Sequence, residues 1–335
     1  MRPDLSTRMK GLDAIRVAIA KSIGDATRSA GAVAESRWGS TSRVAEHLMK
    51  TAVPSLGSAD LIEGGSGIMA EFFGAAVERS ALGAMAGIRR VPFRVRAIAG
   101  GGARAYWIGE GVATPVSAAS LDFSTLAPKR VAALTVADLD ALRDAGDAVE
   151  MGLRSDLLRA VAEAVNAAAF AIPDDADPNA PPSLLDGAPL DGASDLDGVR
   201  AVLLEPFTGD LAAAYLVMAP QLAAYLSGLD APDLGARGGS LWGIPVATGT
   251  GIPDDLIALV DPTQIALAQA GGEIKISQSA TIEMADNPAG DSVTPTATQA
   301  VSLFQNNAVA LGADAYVDWQ PVRSGVVTAA IWGTA

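Results

Sequence analysis

The sequence has no cysteine and only one histidine among its 335 residues. Without cysteine, the chain can form no disulfide, use no thiolate nucleophile and bind no metal through thiolate ligands. A Ser-His-Asp triad or a histidine-ligated metal site would have to use His47, and no nucleophile-elbow motif is present to complete such a triad. We therefore interpret His47 as a surface residue on a short helix rather than as a catalytic group.

Aromatic residues are scarce as well. They make up 5% of the chain although half of its residues are apolar, so most of the apolar mass is alanine, valine and leucine. Small apolar side chains favour closely packed helices and broad, flat contacts between subunits over one thick core. With 335 residues, the chain is long enough for one large or two moderate domains.

Long apolar runs are also missing, so the sequence predicts no membrane-spanning helix and no signal peptide at the N-terminus. The formal net charge of −14 is unevenly distributed, since residues 1–50 carry +4 and the remaining residues carry −18. A basic N-terminal segment on an acidic body indicates that the two parts face different surroundings. The alternative is a solvated N-terminal helix that has no partner.

Acidic and glycine-rich motifs do not predict a catalytic or metal site. The glycine runs at 64–67 and 100–102 lack the spacing of phosphate-binding loops, so we interpret both as turns. The adjacent acids at 174–175 and 254–255 follow prolines and are typical of solvated turns. Asp175, Asp177 and Asn179 alternate as in a calcium loop, but alanine follows where the sharp turn requires glycine. The sequence therefore predicts no metal, no cofactor and no catalytic residue.

The strongest helical pattern lies at residues 147–170. Its apolar side chains recur mostly every three or four residues and predict one apolar face. They are Val149, Leu153, Leu157, Leu158, Val161 and Val165. Glu150 precedes Arg154 by four residues, which predicts an ion pair on the opposite, exposed face. The preceding stretch, 107–135, is sparsely apolar and contains two prolines, so it predicts a long extended excursion.

The N-terminal third has weaker patterns. Residues 12–23 and 68–85 predict amphipathic helices. Between them, 31–67 is interpreted as a flexible arm with one short helix near 44–49. Residues 91–96 alternate as an edge strand does, and the glycines that follow predict a turn into an antiparallel hairpin.

The C-terminal half predicts a compact mixed domain followed by a strand-rich tail. Residues 173–198 are interpreted as an acidic surface loop, followed by alternating short helices and strands up to residue 260. The helices are predicted at 197–204 and 219–226, and the strands at 213–218, 242–246 and 257–260. In the tail, 273–277 is predicted to pair with 281–284, and three further strands are predicted at 301–309, 315–319 and 325–332.

Four arginines cluster before the extended excursion. Arg90, Arg94 and Arg96 fall on one side of the predicted ribbon, and Arg89 lies close by. Such a stripe suits an acidic neighbour, for example another copy of this acidic chain. An exposed strand face without a partner is an equally weighted alternative.

Five segments resemble, in order, segments of the major capsid proteins of tailed bacteriophages, which have the Hong Kong 97 fold. The second begins with WIGEG and ends with PKRVA, the fourth reads LWGIPV, and the fifth reads FQNNAVALGADAYVDW. Each motif is weak alone, but the ordered set is specific and covers about residues 60–335. The five segments are 68–85, 107–132, 147–170, 241–246 and 304–319.

The resemblance implies an α+β Hong Kong 97-type capsid fold. The implied layout has an N-terminal arm, an extended loop, a peripheral domain with a long spine helix, and an axial domain. The arm covers 1–67, the peripheral domain 68–87 and 131–174, the extended loop 88–130, the axial domain 175–260, and the closing sheet of the peripheral domain 261–335.

The resemblance also implies a structural protein that is not an enzyme. Pentamers and hexamers of the chain would tile an icosahedral shell of the virion around phage DNA, bound without sequence specificity. Implied partners are a portal, a scaffold or protease and a decoration protein, with assembly in the host cytoplasm and no membrane. Because the family's extended loop lies across a neighbouring subunit, the expected subunit contacts lie in and around it. They are Arg89, Arg90, Arg94, Arg96, Trp107, Glu110, Phe123, Lys129 and Arg130.

Some family members join an extended-loop lysine to an asparagine by an isopeptide bond, assisted by a glutamate. Asn307 and Asp314 fall in the general region of that asparagine, whereas the loop around Ser124 and Thr125 has no lysine. Lys129 belongs instead to the return end of the loop. We therefore expect Asn307 and Asp314 to be inactive in cross-linking, and the subunits to cohere by burial and strand augmentation.

Family members also often carry a long N-terminal scaffolding segment that a protease removes. About 60 residues precede the first matched helix. This leaves a short, retained segment or a separate scaffold as alternatives. The +4 charge of the arm leads to the hypothesis that it faces DNA inside the shell.

Two other functions stay open at this point. An encapsulin-type compartment shares the fold and holds enzyme cargo, and the DNA content of the particles would distinguish it. A hydrolase that uses the paired acids would act as a small oligomer and lose turnover when Asp254 or Asp255 is replaced.

Overall fold

The structure is a computed structural model that describes residues 10–24, 29–50, 67–94, 96–101, 120–143, 146–173, 177–228, 231–278, 281–283 and 300–333. The chain divides into two units. The first comprises Met1–Ala76, Ala132–Val161 and Gly271–Ala315. The second comprises Val77–Val131, Ala162–Ala270 and Tyr316–Ala335. Among the described residues, no helix is both long and apolar enough to cross a membrane.

Nine α-helices lie within the described residues. They are α1 (Leu12–Ile23), α2 (Ala30–Trp38), α3 (Arg43–Lys50), α4 (Gly67–Glu78), α5 (Ala81–Ala84), α6 (Leu139–Arg143), α7 (Asp147–Ala169), α8 (Leu196–Leu204) and α9 (Pro220–Ser227). A single 3-10 turn, also counted over the described residues alone, covers Pro262–Gln264.

The described strands all follow α5. They are β1 (Arg89–Arg90), β2 (Arg96–Gly101), β3 (Ser120–Thr125), β4 (Lys129–Asp138), β5 (Leu190–Ala193), β6 (Tyr215–Met218), β7 (Leu234–Gly235), β8 (Gly238–Leu241), β9 (Ile244–Thr248), β10 (Leu256–Val260), β11 (Ile265–Ser277), β12 (Thr281–Glu283), β13 (Ala300–Ser302), β14 (Ala308–Pro321) and β15 (Val327–Trp332). Helices α6 to α9 lie between β4 and β7.

Helix α1 lies at the centre of the N-terminal part of the first unit. Every residue from Leu12 to Ala20 is buried, including Asp13 and Arg16. The helix starts after Gly11, which has a φ of 83°. A Cβ atom added to Gly11 would lie 3.0 Å from Phe72 Cα, so this position favours glycine.

The predicted helix at 12–23 is therefore confirmed, but it is enclosed rather than amphipathic. The flexible arm predicted for 31–67 is also not what its described part shows, since α2 and α3 occupy most of residues 30–50. The Ser29 hydroxyl accepts a hydrogen bond from Ala32 N and caps α2, a signal that the weak apolar pattern of this segment obscured. Residues 51–66 lie outside the described part of the chain.

Helix α7 confirms the predicted spine helix. Leu157, Leu158, Val161 and Val165 are buried as the apolar period predicts. Near its end, the buried Asn166 accepts a hydrogen bond from Ala81 N and donates one to Thr250 O, both at 2.8 Å. This amide fixes α5 and the loop after β9 to the last turns of the helix.

A seven-stranded sheet in the order β5-β15-β10-β6-β9-β8-β7 forms the core of the second unit. All five residues of β10 are buried, and helices α8 and α9 contribute leucines and alanines to the same apolar cluster. The short helices and strands predicted between 197 and 260 are present, but the tail strand β15 also belongs to this sheet. It pairs with β10 on one side and β5 on the other. The predicted assignment of all of 261–335 to a separate closing sheet is therefore wrong for β15.

The loop at 173–198 is less exposed than its acidic composition predicts. Its described part, from residue 177, includes the buried residues Ser183, Leu184 and Leu185. The Ser183 hydroxyl donates to Ala171 O at 2.7 Å, which holds this loop against the end of the preceding helix. β5 then joins the sheet.

A four-stranded sheet has the order β1-β11-β14-β4. β11 and β14 have 13 and 14 residues and are longer than the predicted tail strands. β12 pairs with β13, with Thr281 opposite Ser302, and not with 273–277 as the sequence predicted. β4 lies at one edge of this sheet.

The predicted extended loop contains an antiparallel hairpin, β2–β3, in which Arg96 lies opposite Thr125 and Gly101 opposite Ser120. Its register differs from the prediction. Gly100 and Gly101 lie inside β2 and do not form the turn. The predicted strand at 91–96 is interrupted, because Arg94 has a φ of 61°, which an extended strand does not allow.

Candidate functional site

The described base of the β2–β3 hairpin is held by an acidic side chain of β14. Asp318 Oδ2 accepts a hydrogen bond from Ala127 N at 2.8 Å, and its Oδ1 accepts one from Trp319 N at 2.9 Å. Next to this contact, Arg94 N donates to Leu126 O at 3.1 Å. Both connections meet the hairpin at residues 126–127, directly before β4.

A small apolar cluster lies under the same connection. Leu126 is buried with Ala266 and Ala268 of β11, and Val91, Phe93 and Val322 pack against them. Leu126, two residues before Pro128, therefore anchors this connection in the apolar cluster. Sequence analysis missed the role of Asp318, because an acid in a predicted strand does not reveal which backbone N–H it accepts from.

Burial raises the pKa of the Asp318 carboxyl, while the N–H groups of Ala127 and Trp319 and the charge of Lys129 act in the opposite direction. Desolvation is the largest of these effects, so the carboxylate is costly to ionise where it stands. The two hydrogen bonds from the backbone N–H groups of Ala127 and Trp319 offset part of this cost.

The predicted arginine stripe is not formed by one ribbon. Arg89 and Arg90 are exposed in β1, which runs parallel to β11 with Arg89 opposite Ala266. Arg94 is exposed in a turn, and Arg96 opens β2. The left-handed backbone at Arg94 separates the two pairs of arginines.

Three of the remaining predicted contact residues lie in β3 and β4. Phe123 is opposite Ile98 in the register of β2 and β3. Lys129 and Arg130 open β4, the first half-buried and the second exposed. Trp107 and Glu110 lie outside the described residues. The contact role of all these residues stays a prediction.

Asn307 and Asp314 are engaged by partners in their own chain. Asn307 has a φ of 50° in the turn before β14; its Nδ2 donates to Asp140 Oδ2 at 3.0 Å, and its carbonyl accepts from Leu139 N at 2.9 Å. The buried Asp314 accepts a hydrogen bond from Lys275 Nζ at 2.7 Å. This arrangement joins the turn to α6 and joins β14 to β11.

The acidic motifs that the structure describes lie in exposed turns. Asp254 and Asp255 are exposed in the turn before β10, and Asp177 accepts hydrogen bonds from the backbone and side-chain nitrogens of Asn179. Asp174 and Asp175 lie outside the described part of the chain. Among the described residues, no group of three histidine or acidic side chains is placed to hold a metal ion.

A buried charge network connects the N-terminal helices with α7. Glu150, 1% exposed, accepts hydrogen bonds from Arg16 Nε at 2.8 Å and from Trp38 Nε1 at 3.2 Å. The Arg16 guanidinium also lies 5.6 Å from the Trp38 ring centroid, within range of a cation–π contact. The predicted pair of Glu150 with Arg154 is therefore wrong: Arg154 Nε donates to Lys10 O at 2.7 Å.

Two further arginines of the N-terminal segment have partners in the same unit. Arg43 contacts Asp13 at 3.3 Å and Glu71 at 3.1 Å, and Arg37 donates to the carbonyls of Leu142 and Arg143. Together with Arg16, these side chains direct part of the basic charge of residues 1–50 towards their own chain. The charge counted from the sequence therefore overstates what the segment presents to a partner.

His47 is half-buried in α3 and not a fully exposed surface residue. Burial is the main cause that lowers the pKa of its imidazole, and the positive charge of Lys21 lowers it further. The neutral imidazole is therefore the form that the folded chain favours.

Large apolar side chains are exposed at several turns and strand positions. Phe304, 81% exposed, lies in the turn between β13 and β14, and Leu134, 62% exposed, lies in the middle of β4. Tyr225 of α9 packs edge-to-face on Trp332 with ring centroids 6.3 Å apart, yet it is also largely exposed. Single exposed apolar side chains are common on folded proteins, so these positions alone do not identify a contact surface.

Comparison with known sequences identifies the class of protein. Residues 67–330 match the sequence profile of the phage capsid family. The chain is also 31% identical over 280 residues to the capsid polyprotein of Pseudomonas phage PAJU2. That alignment covers 74% of this chain and 41% of the polyprotein, so the chain spans less than half the length of this relative.

Solved structures from two phages share the fold. One from Mycobacterium phage Adephagia has a TM-score of 0.51 at 16% identity and covers 88% of this chain and 99% of that chain. Another, from Gordonia phage Cozz, has a TM-score of 0.52 at 14% identity and covers 77% and 87% of the two chains. These similarities confirm the expected α+β, Hong Kong 97-type architecture. Because the profile match at 67–330 covers most of its length, the chain belongs to the phage capsid family.

Proposed function

We propose that this chain is a major capsid subunit whose pentamers and hexamers form the icosahedral shell of a tailed phage. The observation that carries the proposal is the family match over residues 67–330. The two-stranded hairpin and the exposed apolar side chains support it, because a shell subunit must bury such surfaces against its neighbours.

The shell encloses phage DNA without reading its sequence, and it belongs to the virion after assembly in the host cytoplasm. A portal and a scaffold or protease act during assembly, and a decoration protein is a further partner of the outer surface. The chain acts as a structural protein and not as an enzyme. The exposure of Asp254 and Asp255 in a surface turn supports this over a hydrolase.

Subunits cohere by buried surface and strand pairing, without isopeptide bonds. Asn307 and Asp314 are held by Asp140 and Lys275 of the same chain, which supports a structural role for both. Arg89, Arg90, Arg94, Arg96, Trp107, Glu110, Phe123, Lys129 and Arg130 are proposed as subunit contacts around the hairpin.

Particle size and content test this function. We expect the purified chain to form closed shells tens of nanometres across, seen by negative-stain microscopy and light scattering, or else the pentamers and hexamers that precede them. Particles from phage-producing cells should contain nuclease-protected DNA, whereas shells that contain protein cargo and no DNA would indicate a compartment. A denaturing gel should show one band near 33.9 kDa, and a ladder of covalent multimers would contradict cohesion without cross-links.

A further inference from the structure

Strand β4 has an open edge. Within the described residues it is the last strand of the β1-β11-β14-β4 sheet and pairs with β14 alone. It is ten residues long, Lys129–Asp138, whereas β1 at the other edge has two residues. Long edge strands are normally shortened, bulged or charged along their length, because their backbone groups pair readily with another strand.

The side chains of β4 do not protect this edge. None of its ten residues is buried: Arg130, Ala132, Leu134 and Asp138 are exposed, and the other six are half-buried. At its centre, the Leu134 side chain lies near Gly312 of β14: a Cβ atom added to Gly312 would be 3.7 Å from Leu134 Cδ1. The outer surface of Leu134 remains in water, with 62% of the residue exposed.

The face of β4 that contains its four exposed residues is self-complementary. Read along the strand, one face carries a base, three apolar side chains with leucine at the centre, and an acid. These are Arg130, Ala132, Leu134, Val136 and Asp138. When two identical strands pair antiparallel, a two-fold axis can lie midway between one residue and the same residue of the second copy. With Leu134 at that midpoint, Arg130 lies opposite Asp138 of the second copy.

We propose that β4 pairs antiparallel with β4 of a second copy of this chain, about a two-fold axis at Leu134. The pairing extends the four-stranded sheet across two subunits, joins the two leucines and places two opposite-charge pairs at its ends. This inference rests on the proposed function for its setting, because the shell supplies the neighbouring copy.

The register is specific. Centring the pair on Ala133 would place Arg130 opposite Val136 and bring Pro128, which has no backbone N–H, opposite Asp138. Centring it on Leu134 opposes charge with charge and apolar with apolar. A pairing of about nine residues from each copy is smaller than the roughly 1,200 Å² of a stable isolated interface, so it acts together with other subunit contacts.

Cysteine cross-linking tests the register, because the chain contains no cysteine of its own. Directly opposed residues of antiparallel strands have Cα atoms about 4.5–5.5 Å apart, which a disulfide can bridge. We expect Leu134→Cys to form disulfide dimers at twice 33.9 kDa on a non-reducing gel, in most of the protein. The exposed position of Leu134 makes the substitution compatible with folding.

Two neighbouring single-cysteine variants provide matched controls. Ala132→Cys and Val136→Cys each lie about 13 Å from their own copies along the strand and should not form dimers alone. Mixed together before assembly, they should form dimers, because residues 132 and 136 are opposed in this register. A decoration protein or an unrelated segment on this edge would instead leave all three variants monomeric.

A charge test complements the cross-linking. In the Leu134→Cys background, Arg130→Gln should lower the dimer yield several-fold, since it removes both end pairs. Arg159→Gln, the same change at an exposed position of α7, should leave the yield unchanged. Asp138 is left intact because its Oδ1 also accepts hydrogen bonds from Asp140 N and Ala141 N.

The outcomes separate this inference from the proposed function. Shells without Leu134→Cys dimers overturn the strand pairing and leave the capsid function standing. Dimers without shells support the pairing and count against the function. Equal dimer yields from Leu134→Cys, Ala132→Cys and Val136→Cys would show random collision and overturn the register.

Discussion

Glu150 is the residue on which the N-terminal helices depend most directly. Its carboxylate is buried and accepts hydrogen bonds from Arg16 and Trp38, two side chains that are themselves on different helices. A buried ion pair is weak evidence for net stability, since both charges lose their hydration. Removing one member is nevertheless costly, because the other charge stays buried without a counterion.

We therefore expect Glu150→Ala to lower the free energy of unfolding by about 3 kcal/mol. Urea denaturation measures the change. Asp156→Ala on the same helix is the control. Asp156 is exposed, and its carboxylate is 4.0 Å from the Arg159 guanidinium, so its removal should lower the free energy of unfolding by less than about 1 kcal/mol. Equal effects of the two substitutions would show that the buried network adds nothing specific.

The charge of His47 gives a second test, because no other histidine or cysteine titrates in the chain. Its folded pKa lies below the ordinary value of 6.5, so the unfolded chain takes up the proton first as the pH falls. The stability that depends on a neutral His47 is therefore fully present above about pH 6.5, and it is lost as the pH falls through the lowered folded pKa.

We expect the free energy of unfolding of the wild-type protein to decrease relative to that of His47→Gln as the pH is lowered from 7.5 through the lowered folded pKa of His47. Denaturation midpoints measured at several pH values give the comparison. The pKa of Asp318 is raised, so its contribution has the opposite sign and increases as the pH falls; the comparison with His47→Gln cancels it. A pH-independent difference would contradict the buried placement of His47.

These residues mark the limit of sequence reasoning. The apolar period of 147–170 predicts the helix and most of its buried face, but Val149 is 40% exposed and Glu150 takes the buried place. Periodicity treats every acid as a surface residue. Glu150 is buried together with its partner Arg16, which lies 134 positions away in the sequence. A local sequence pattern cannot reveal a contact between residues so far apart.

At the scale of elements, β15 shows how a tail can serve a distant sheet. It lies between β5 and β10, runs parallel to the first and antiparallel to the second, and its Thr328 Oγ1 donates to Leu203 O at 2.8 Å. Its short apolar sequence predicts a buried strand. Which sheet receives such a strand depends on pairings that one sequence does not display.

Truncation after Ser324 should therefore unfold the second unit rather than loosen a peripheral sheet. β10, whose residues are all buried, would lose one of its two neighbours. We expect loss of near-ultraviolet circular dichroism and rapid proteolysis within 190–260. Truncation after Gly333, which keeps β15, is the control and should leave both properties unchanged.

Hairpin β2–β3 was predicted with the correct type and the wrong register. Alternation at 91–96 suggested a strand, but the left-handed Arg94 and the bond of its N–H to Leu126 O end the extended backbone there. Glycine normally signals a turn, yet Gly100 and Gly101 pair in β2 with Leu121 and Ser120. Pairing partners outweighed local preference in both places.

At the scale of the whole molecule, the family could be reached from sequence because five weak motifs occur in a fixed order. Composition alone, rich in small apolar residues and poor in aromatics, indicated broad subunit contacts but no particular fold. The subunit contacts could not be derived in the same way, since one chain does not contain its neighbour. Exposed apolar positions such as Leu134 and Phe304 become informative only once their surroundings are known.

The first unit is gathered from three separate stretches of chain, the last of which ends at Ala315. A ribosome releases these stretches one after another, so α1 emerges long before Glu150 and longer still before β14. Until then its apolar side chains and Arg16 have no finished site to enter, and contacts so distant in sequence form slowly. A subunit still being translated therefore cannot offer a complete first unit to its neighbours. Under the proposed function, a shell would therefore be built from subunits whose translation is already finished.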